Sequence, residues 1–457
     1  STIGNGYNPP AGSEVRTGKL ANGLTYYIYA SDMDPGKASY HLVRRAGSAV
    51  ETPQENGYTH FIEHLAFGPL RNFPEGCVKW LDTRGVHFGQ GLNAYTTVGG
   101  TVYQVNDAPA RRGGVQDSCV MLLRDWLDGI VIDDRAVESE KGVIAEEMRI
   151  TGNDPNQTKA LNLLSRCFAG SRLADANVMG SREVVDNATA ASLTDFYSQR
   201  YRPDLAAVVV TGDVDIADTE ALIRKHFGSM SKPATPTPDV DIALPSGGVV
   251  NFVVEETAGI DRSILILNMM LSGCSAATPD NAGAVAWYMN GLVKNTLGTV
   301  LTPQSIGGVS SAQLLNEGIY LAPGIDSYGV VMTVKGDEVT AVSNLFKALD
   351  KLRRNGVTQA QYDEIKTKFM EQVRNPNPAP ANLEALASIC IDNFAHGTPL
   401  PQLRQPLVEQ FAPQIPLSVF NTALKDILSM AFTTCILQFP KGYNPPTPES
   451  LRVAAGR

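Results

Sequence analysis

One pattern occurs twice in this chain, and that repetition limits its fold more than any other feature. Ser39-Tyr40-His41-Leu42-Val43 followed by Gly47-Ser48 is matched 224 residues on by Ser263-Ile264-Leu265-Ile266-Leu267 followed by Ser272-Gly273. Arg135 to Arg149 and Gln361 to Arg374 share a helical spacing at an offset near 225. Two nearly constant offsets imply a duplicated unit. A length of 457 residues agrees, since single cores stop growing at about 250–300 residues. Pro233, Pro236, Pro238 and Pro245 make residues 229–248 the best linker candidate. The expected layout is therefore a first domain over 1–232, a linker over 233–248 and a homologous second domain over 249–457.

Each unit reads as mixed α/β. Leu20 to Tyr29 is a turn running into an aromatic, β-branched strand, and Ser39 to Val43 is a second strand. Tyr58 to Phe67 is helical until Gly68, Pro69 and Pro74 break it. Asn93 to Val105 is strand-like, Val115–Ile130 and Asp134–Ile150 are successive helices, and Leu205 to Asp213 is a buried strand.

A composition of 43% hydrophobic and 19% charged residues is that of a folded chain able to bury a substantial core. The net charge of −9 argues against nucleic acid as a partner, which requires clustered Lys and Arg. No apolar run reaches the roughly 18 residues of a transmembrane segment. The cysteines, Cys77, Cys119, Cys167, Cys274, Cys390 and Cys435, form no Cys-x-x-Cys pair and are expected as buried free thiols. Because the first residue is Ser1, a trimmed leader would fit a periplasmic or otherwise exported protein; without one a cytoplasmic protein is expected.

The chemistry gathers at His60-Phe61-Ile62-Glu63-His64. Histidines four apart share one face of a helix, about one turn apart, and can reach a single ion. Zinc accepts two imidazoles readily, and catalytic sites add a third protein ligand. Glu63 stands beside the pair, in the inverted form of the His-Glu-x-x-His pattern. The segment Glu138 to Arg149 offers Glu140 and Glu147, seven apart on one helix face, one as ligand and the other as support. The second copy lacks this equipment: His60 corresponds to Ala284, so only the first domain is expected to hold metal. His41, His87, His226 and His396 have no partner identifiable by spacing.

His60-x-x-Glu63-His64, Glu140-x6-Glu147, Asn93-Ala94-Tyr95-Thr96 between them, and Tyr201-Arg202-Pro203-Asp204 before a buried strand together resemble the M16 family of zinc peptidases. The resemblance is strongest from about residue 20 to 215 and covers nearly the whole chain as a pattern. It implies an α+β fold of two homologous α/β domains, each a mainly antiparallel sheet packed with helices. It also implies Zn2+ on His60, His64 and Glu147, with Glu140 as the supporting catalytic glutamate. Glu63 would be the general base acting on a zinc-bound water. Asn93, Ala94, Tyr95 and Thr96 would form the edge strand that takes a peptide substrate as an added strand. Peptides or unfolded segments would be cut inside a chamber formed by a homodimer, or by a heterodimer with another M16 subunit. One departure stands out: the family's Arg and Tyr substrate grip has no arginine in Gly318 to Met332. Two other readings therefore stay open: a zinc-bearing subunit of a two-component peptidase, and a non-catalytic structural subunit on the same fold.

Overall fold

The computed structural model describes residues 13–45, 50–96, 100–175, 177–232, 234, 244–245, 247–272, 281–315, 325–375 and 380–457. Most of residues 233–248, expected as the linker, and the stretch containing Tyr320 lie outside them.

The first sheet contains β1 (Glu14–Lys19), β2 (Thr25–Ala30), β3 (Lys37–Arg44), β4 (Leu92–Thr96), β5 (Thr101–Pro109) and β6 (Ala206–Gly212). The second contains β7 (Val250–Thr257), β8 (Ile264–Ser272), β9 (Val309–Leu315), β10 (Ile325–Val334) and β11 (Phe432–Pro440). Their orders are β1-β2-β6-β3-β5-β4 and β7-β11-β8-β10-β9. Without β1, each strand of the first sheet has a counterpart in the same place in the second. Even the exceptions agree: β2 runs parallel to β6 and β7 parallel to β11, while the other pairs are antiparallel. The fold class expected from the sequence is what the structure shows. The strand-like run Asn93 to Val105 is really two antiparallel strands, with Leu92 facing Val105.

Period-two alternation gives each sheet two apolar faces. In the first, Tyr26, Ile28, Tyr40, Leu42, Val208 and Val210 face the domain's own helices, chiefly Val115–Asp128. Tyr27, Tyr29, Val43, Ala207 and Val209 face the opposite way, onto Leu383, Leu386, Ala387, Cys390 and Phe394 of the helix Leu383–His396. That helix comes from the second half of the chain. The exchange is mutual: Cys167, Phe168 and Leu173, at and beyond the end of the helix Pro155–Cys167, pack on Val253, Met270, Phe432 and Ile436 of the second sheet. Polar contacts fix both crossings. Tyr27 donates its hydroxyl to Asn393 Oδ1 at 2.5 Å, Arg45 donates to the Phe394 carbonyl at 2.7 Å, and Thr434 Oγ1 donates to the Cys167 carbonyl at 2.8 Å. Each half thus finishes the other's core.

Candidate metal centre

The helix Tyr58–Leu65 is two turns long and buries Tyr58, Phe61, Ile62 and Leu65 against the first core. Burying that face leaves His60, Glu63 and His64 toward the neighbouring helix Asp134–Gly152. That longer helix starts at Asp133, whose side chain accepts from the Ala136 amide at 2.9 Å, and anchors itself through Val137 and Ile144. A spacing of seven then carries Glu140 and Glu147 along one face toward the histidines.

The side chains converge. Glu147 Oε1 lies 3.3 Å from His60 Nε2, and Glu147 Oε2 lies 2.9 Å from His64 Nε2. One ligand atom from each of His60, His64 and Glu147 falls within 4.8 Å of the others, the one such group of three among the described residues. Glu140 Oε2 meets the far nitrogen of His64, Nδ1, at 3.1 Å, which orients the ring from behind. Burial pulls the His64 imidazole down, but Glu140 and Glu147 outweigh it and hold its pKa up at about 9. Hydrogen bonds from His60 and His64 keep the Glu147 carboxyl well below the usual carboxylate range. A positive charge shared among these atoms is therefore strongly favoured. Two imidazoles and one carboxylate at this spacing fit a zinc ion, which would take the place of the proton on His64.

Glu63 borders the group on the side of β4. Its Oε2 accepts from Thr96 Oγ1 at 2.5 Å. Deeper in the core, the Tyr103 and Tyr201 hydroxyls share a hydrogen bond of 2.9 Å. Burial, aided by the nearby Glu63 charge, pushes the Tyr201 hydroxyl up to about 12.

The strand that carries Asn93, Ala94, Tyr95 and Thr96 is the outermost of its sheet. Leu92 donates its amide to His87 and accepts at its carbonyl from Gly89, both away from β5. Period two directs the Ala94 amide and carbonyl to that same outer side. There the Ala94 amide is capped by the side chain of Asn93, whose Oδ1 accepts it at 2.8 Å.

Sequence reasoning missed Glu51. Both its carboxylate oxygens accept backbone amides at the head of the helix Tyr58–Leu65, from Gly57 at 2.9 Å and Thr59 at 2.8 Å. Burial pushes this carboxyl up to about 7 despite those bonds. No local motif announces it, since the contact spans a loop.

The second half holds no comparable group among the described residues. Ala284, the counterpart of His60, packs in the second core on the helix Asn281–Val300. The described strands β9 and β10 carry no arginine. Tyr328 is buried with its hydroxyl bonded to Asn290, and Tyr320 lies outside the described residues. His87 pairs with Asp82 and His226 with Asp117, while His41 is buried on β3 and His396 is half-buried at the end of the helix Leu383–His396. The five described cysteines are buried free thiols, and Cys274 lies outside the described residues. No described helix is long and apolar enough to cross a membrane.

Comparison with known proteins finds relatives of both halves of the chain. Residues 27–179 match the family model described as "Insulinase (Peptidase family M16)", and residues 187–369 match "Peptidase M16 inactive domain". The probable zinc protease PqqL of Haemophilus influenzae is 28% identical over 245 residues, covering 52% of this chain and 26% of that protein. Mitochondrial-processing peptidase subunit beta of Saccharomyces cerevisiae is 28% identical over 281 residues, covering 60% of this chain and 57% of that one. The chain thus spans about a quarter of the length of its PqqL relative and over half that of the processing-peptidase subunit. In fold it is similar to the first half of the periplasmic protease PqqL from Escherichia coli, with a TM-score of 0.76 at 21% identity, covering 98% of this chain and 97% of that one. With both halves matched by models of one family and the strand orders duplicated, the chain belongs to the M16 peptidase family.

Proposed function

We propose that this chain is a zinc-dependent endopeptidase acting on extended peptides or unfolded segments. The observation that carries the reading is the convergence of His60, His64 and Glu147 within 4.8 Å, with Glu63 on the same short helix. Zinc bound there would supply Lewis-acid polarisation of the scissile carbonyl and make water acidic enough to attack near neutral pH. Glu63 acts as general base: Thr96 occupies one of its oxygens, and the other takes a proton from the attacking water and returns it to the leaving amine. Glu140 holds the His64 ring in place throughout. The substrate adds to β4 as an antiparallel strand, displacing the Asn93 side chain from the Ala94 amide and pairing with the outward groups of Ala94. Tyr95, which is exposed, and Thr96 then border the substrate next to the metal.

A second reading is a two-component peptidase in which a partner subunit, a second copy or another M16 chain, completes the substrate grip. The absence of arginine from the described strands β9 and β10 and the burial of Tyr328 favour it over self-sufficiency. A purely structural subunit is disfavoured by the full set of His60, Glu63, His64, Glu140 and Glu147.

The test pairs metal analysis with cleavage of a quenched, unstructured peptide, with and without chelator. Wild-type protein should hold about one zinc, and Glu63→Gln should keep the metal while losing turnover. Loss of zinc in Glu63→Gln would break the division of roles. Chelator-sensitive cleavage by the chain alone would remove the need for a partner; cleavage only after mixing with a second M16 subunit would establish one.

A further inference from the structure

The helix that carries His60, Glu63 and His64 has an unusual entry. Its N-cap is Gly57, in the left-handed region at φ 101°, with no side chain to satisfy the free amides of the first turn. Glu51 supplies the missing acceptors from the preceding loop, one oxygen to Gly57 and one to Thr59, the residue immediately before His60. It is 4% exposed. A buried carboxylate is a costly way to cap a helix when Ser, Thr or Asn at the cap position would satisfy a first-turn amide. Gripping two amides with one rigid group, however, fixes the axis and rotation of the first turn, and the histidine positions follow from that.

Glu51 is in turn held from outside its own loop. Arg172 donates to the Glu51 backbone carbonyl, and its neighbour Leu173 is buried against the second sheet with Val253, Met270 and Phe432. Nearby, the Asn56 side chain donates to the Asn177 carbonyl at 3.3 Å, and Gly57 sits against Gly180 so closely that a Cβ on either would collide with the other. Arg172–Leu173 and Asn177–Gly180 therefore link the second sheet to the start of the helix Tyr58–Leu65.

We propose that Glu51 is a positioning residue for the metal centre, setting the helix Tyr58–Leu65 through the Gly57 and Thr59 amides, and that Arg172 ties this setting to the second half of the chain. The inference rests on the zinc site proposed above. It gives the metal-free half a part in the centre: a shift of the second sheet reaches His60 through Leu173, Arg172, Glu51 and Thr59. Glu51 touches neither substrate nor the ligand atoms, so its effect falls on metal affinity and kcat.

The experiment compares wild-type, Glu51→Gln, Glu51→Asp and Arg172→Met full-length protein. Zinc dissociation constants are measured by competition with a chromophoric chelator, alongside the absorption spectrum of the cobalt-loaded protein, Tm without metal, and kcat and KM. Glu51→Gln turns an N–H toward an amide N–H and should weaken zinc binding by about 10–100-fold. It should alter the cobalt spectrum and lower kcat at unchanged KM, with the metal-free Tm near wild type. Glu51→Asp, which keeps the charge, should recover part of the affinity, and Arg172→Met should weaken zinc binding by a smaller factor. Zinc affinity equal to wild type in Glu51→Gln overturns the proposal, as does a loss of affinity matched by collapse of the metal-free Tm. If Glu51→Gln fails to fold, Arg172→Met decides: unchanged zinc affinity and cobalt spectrum overturn the link. Wild-type protein that takes up no zinc would instead sink the metal-site reading itself.

Discussion

Replacing Leu386 with alanine asks whether the first core depends on a helix delivered by the second half. Leu386 is completely buried against Tyr27, Tyr29, Val43 and Val209 of the first sheet, whose strands leave little room for collapse around the cavity. Truncating such a leucine costs about 2–5 kcal/mol, a large share of the roughly 5–15 kcal/mol that stabilises a typical domain. With a guanidinium slope of about 5 kcal/mol per molar or more, the unfolding midpoint should fall by up to about 1 M. The chain has tryptophans at 80, 126 and 287, which allows each core to be followed separately. Trp126 is buried in the first core, and Trp287 packs on Phe369 in the second. In a Trp80→Phe/Trp287→Phe background the remaining Trp126 should report the loss, although Leu386 lies 260 residues away in sequence. In a Trp80→Phe/Trp126→Phe background Trp287 should report the same midpoint, because the crossings are mutual. A Trp126 transition that stays in place while that of Trp287 shifts would refute the reciprocal packing.

Two further expectations concern buried histidines and a tight glycine contact. Burial holds the His41 and His396 imidazoles down to about 4, with Gln104 partly opposing it at His41 and Arg45 adding to it at His396. The unfolded chain takes up these protons below about pH 6.5 and the folded protein only near 4, so stability is full above 6.5 and is lost as pH falls, by up to about 3 kcal/mol per histidine. Urea melts across this window should show a decline that a His41→Gln/His396→Gln variant flattens; an equal decline in the variant would exclude these groups. Gly180→Ala would set a Cβ 2.3 Å from the Asn56 carbonyl oxygen at a φ of +82°, and should cost about 2–4 kcal/mol in a thermal melt. An unchanged Tm would mean that the Asn56–Gly57 turn yields freely.

The convergence at the candidate metal centre was legible because its information is local. His60, Glu63 and His64 lie within two helical turns, and Glu140 and Glu147 within another two, so spacing alone aligns them. β6 was legible for a similar reason, since every residue from Ala206 to Gly212 is buried and Ala206 to Val210 are continuously apolar. β1 was not, because Glu14 to Lys19 forms a largely exposed edge strand whose one large apolar residue is Val15, with no hydrophobic alternation to reveal it. Glu51 escaped because its partners are amides, which every residue carries. The crossing helices escaped for a different reason: the patterns of Pro155–Cys167 and Leu383–His396 show that each has an apolar face but not which sheet will receive it.

The mutual covering of the two sheets bears on ancestry. If each half descends from one shorter chain, that chain had an apolar outer sheet face that its own helix did not cover. Two copies could satisfy each other by trading helices, forming a symmetric exchanged dimer. Joining them end to end would turn that intermolecular exchange into an intramolecular one and free each copy to change alone. One copy then keeps the candidate metal ligands, while the other, with Ala284 where the first has His60, retains the frame that holds its twin in shape.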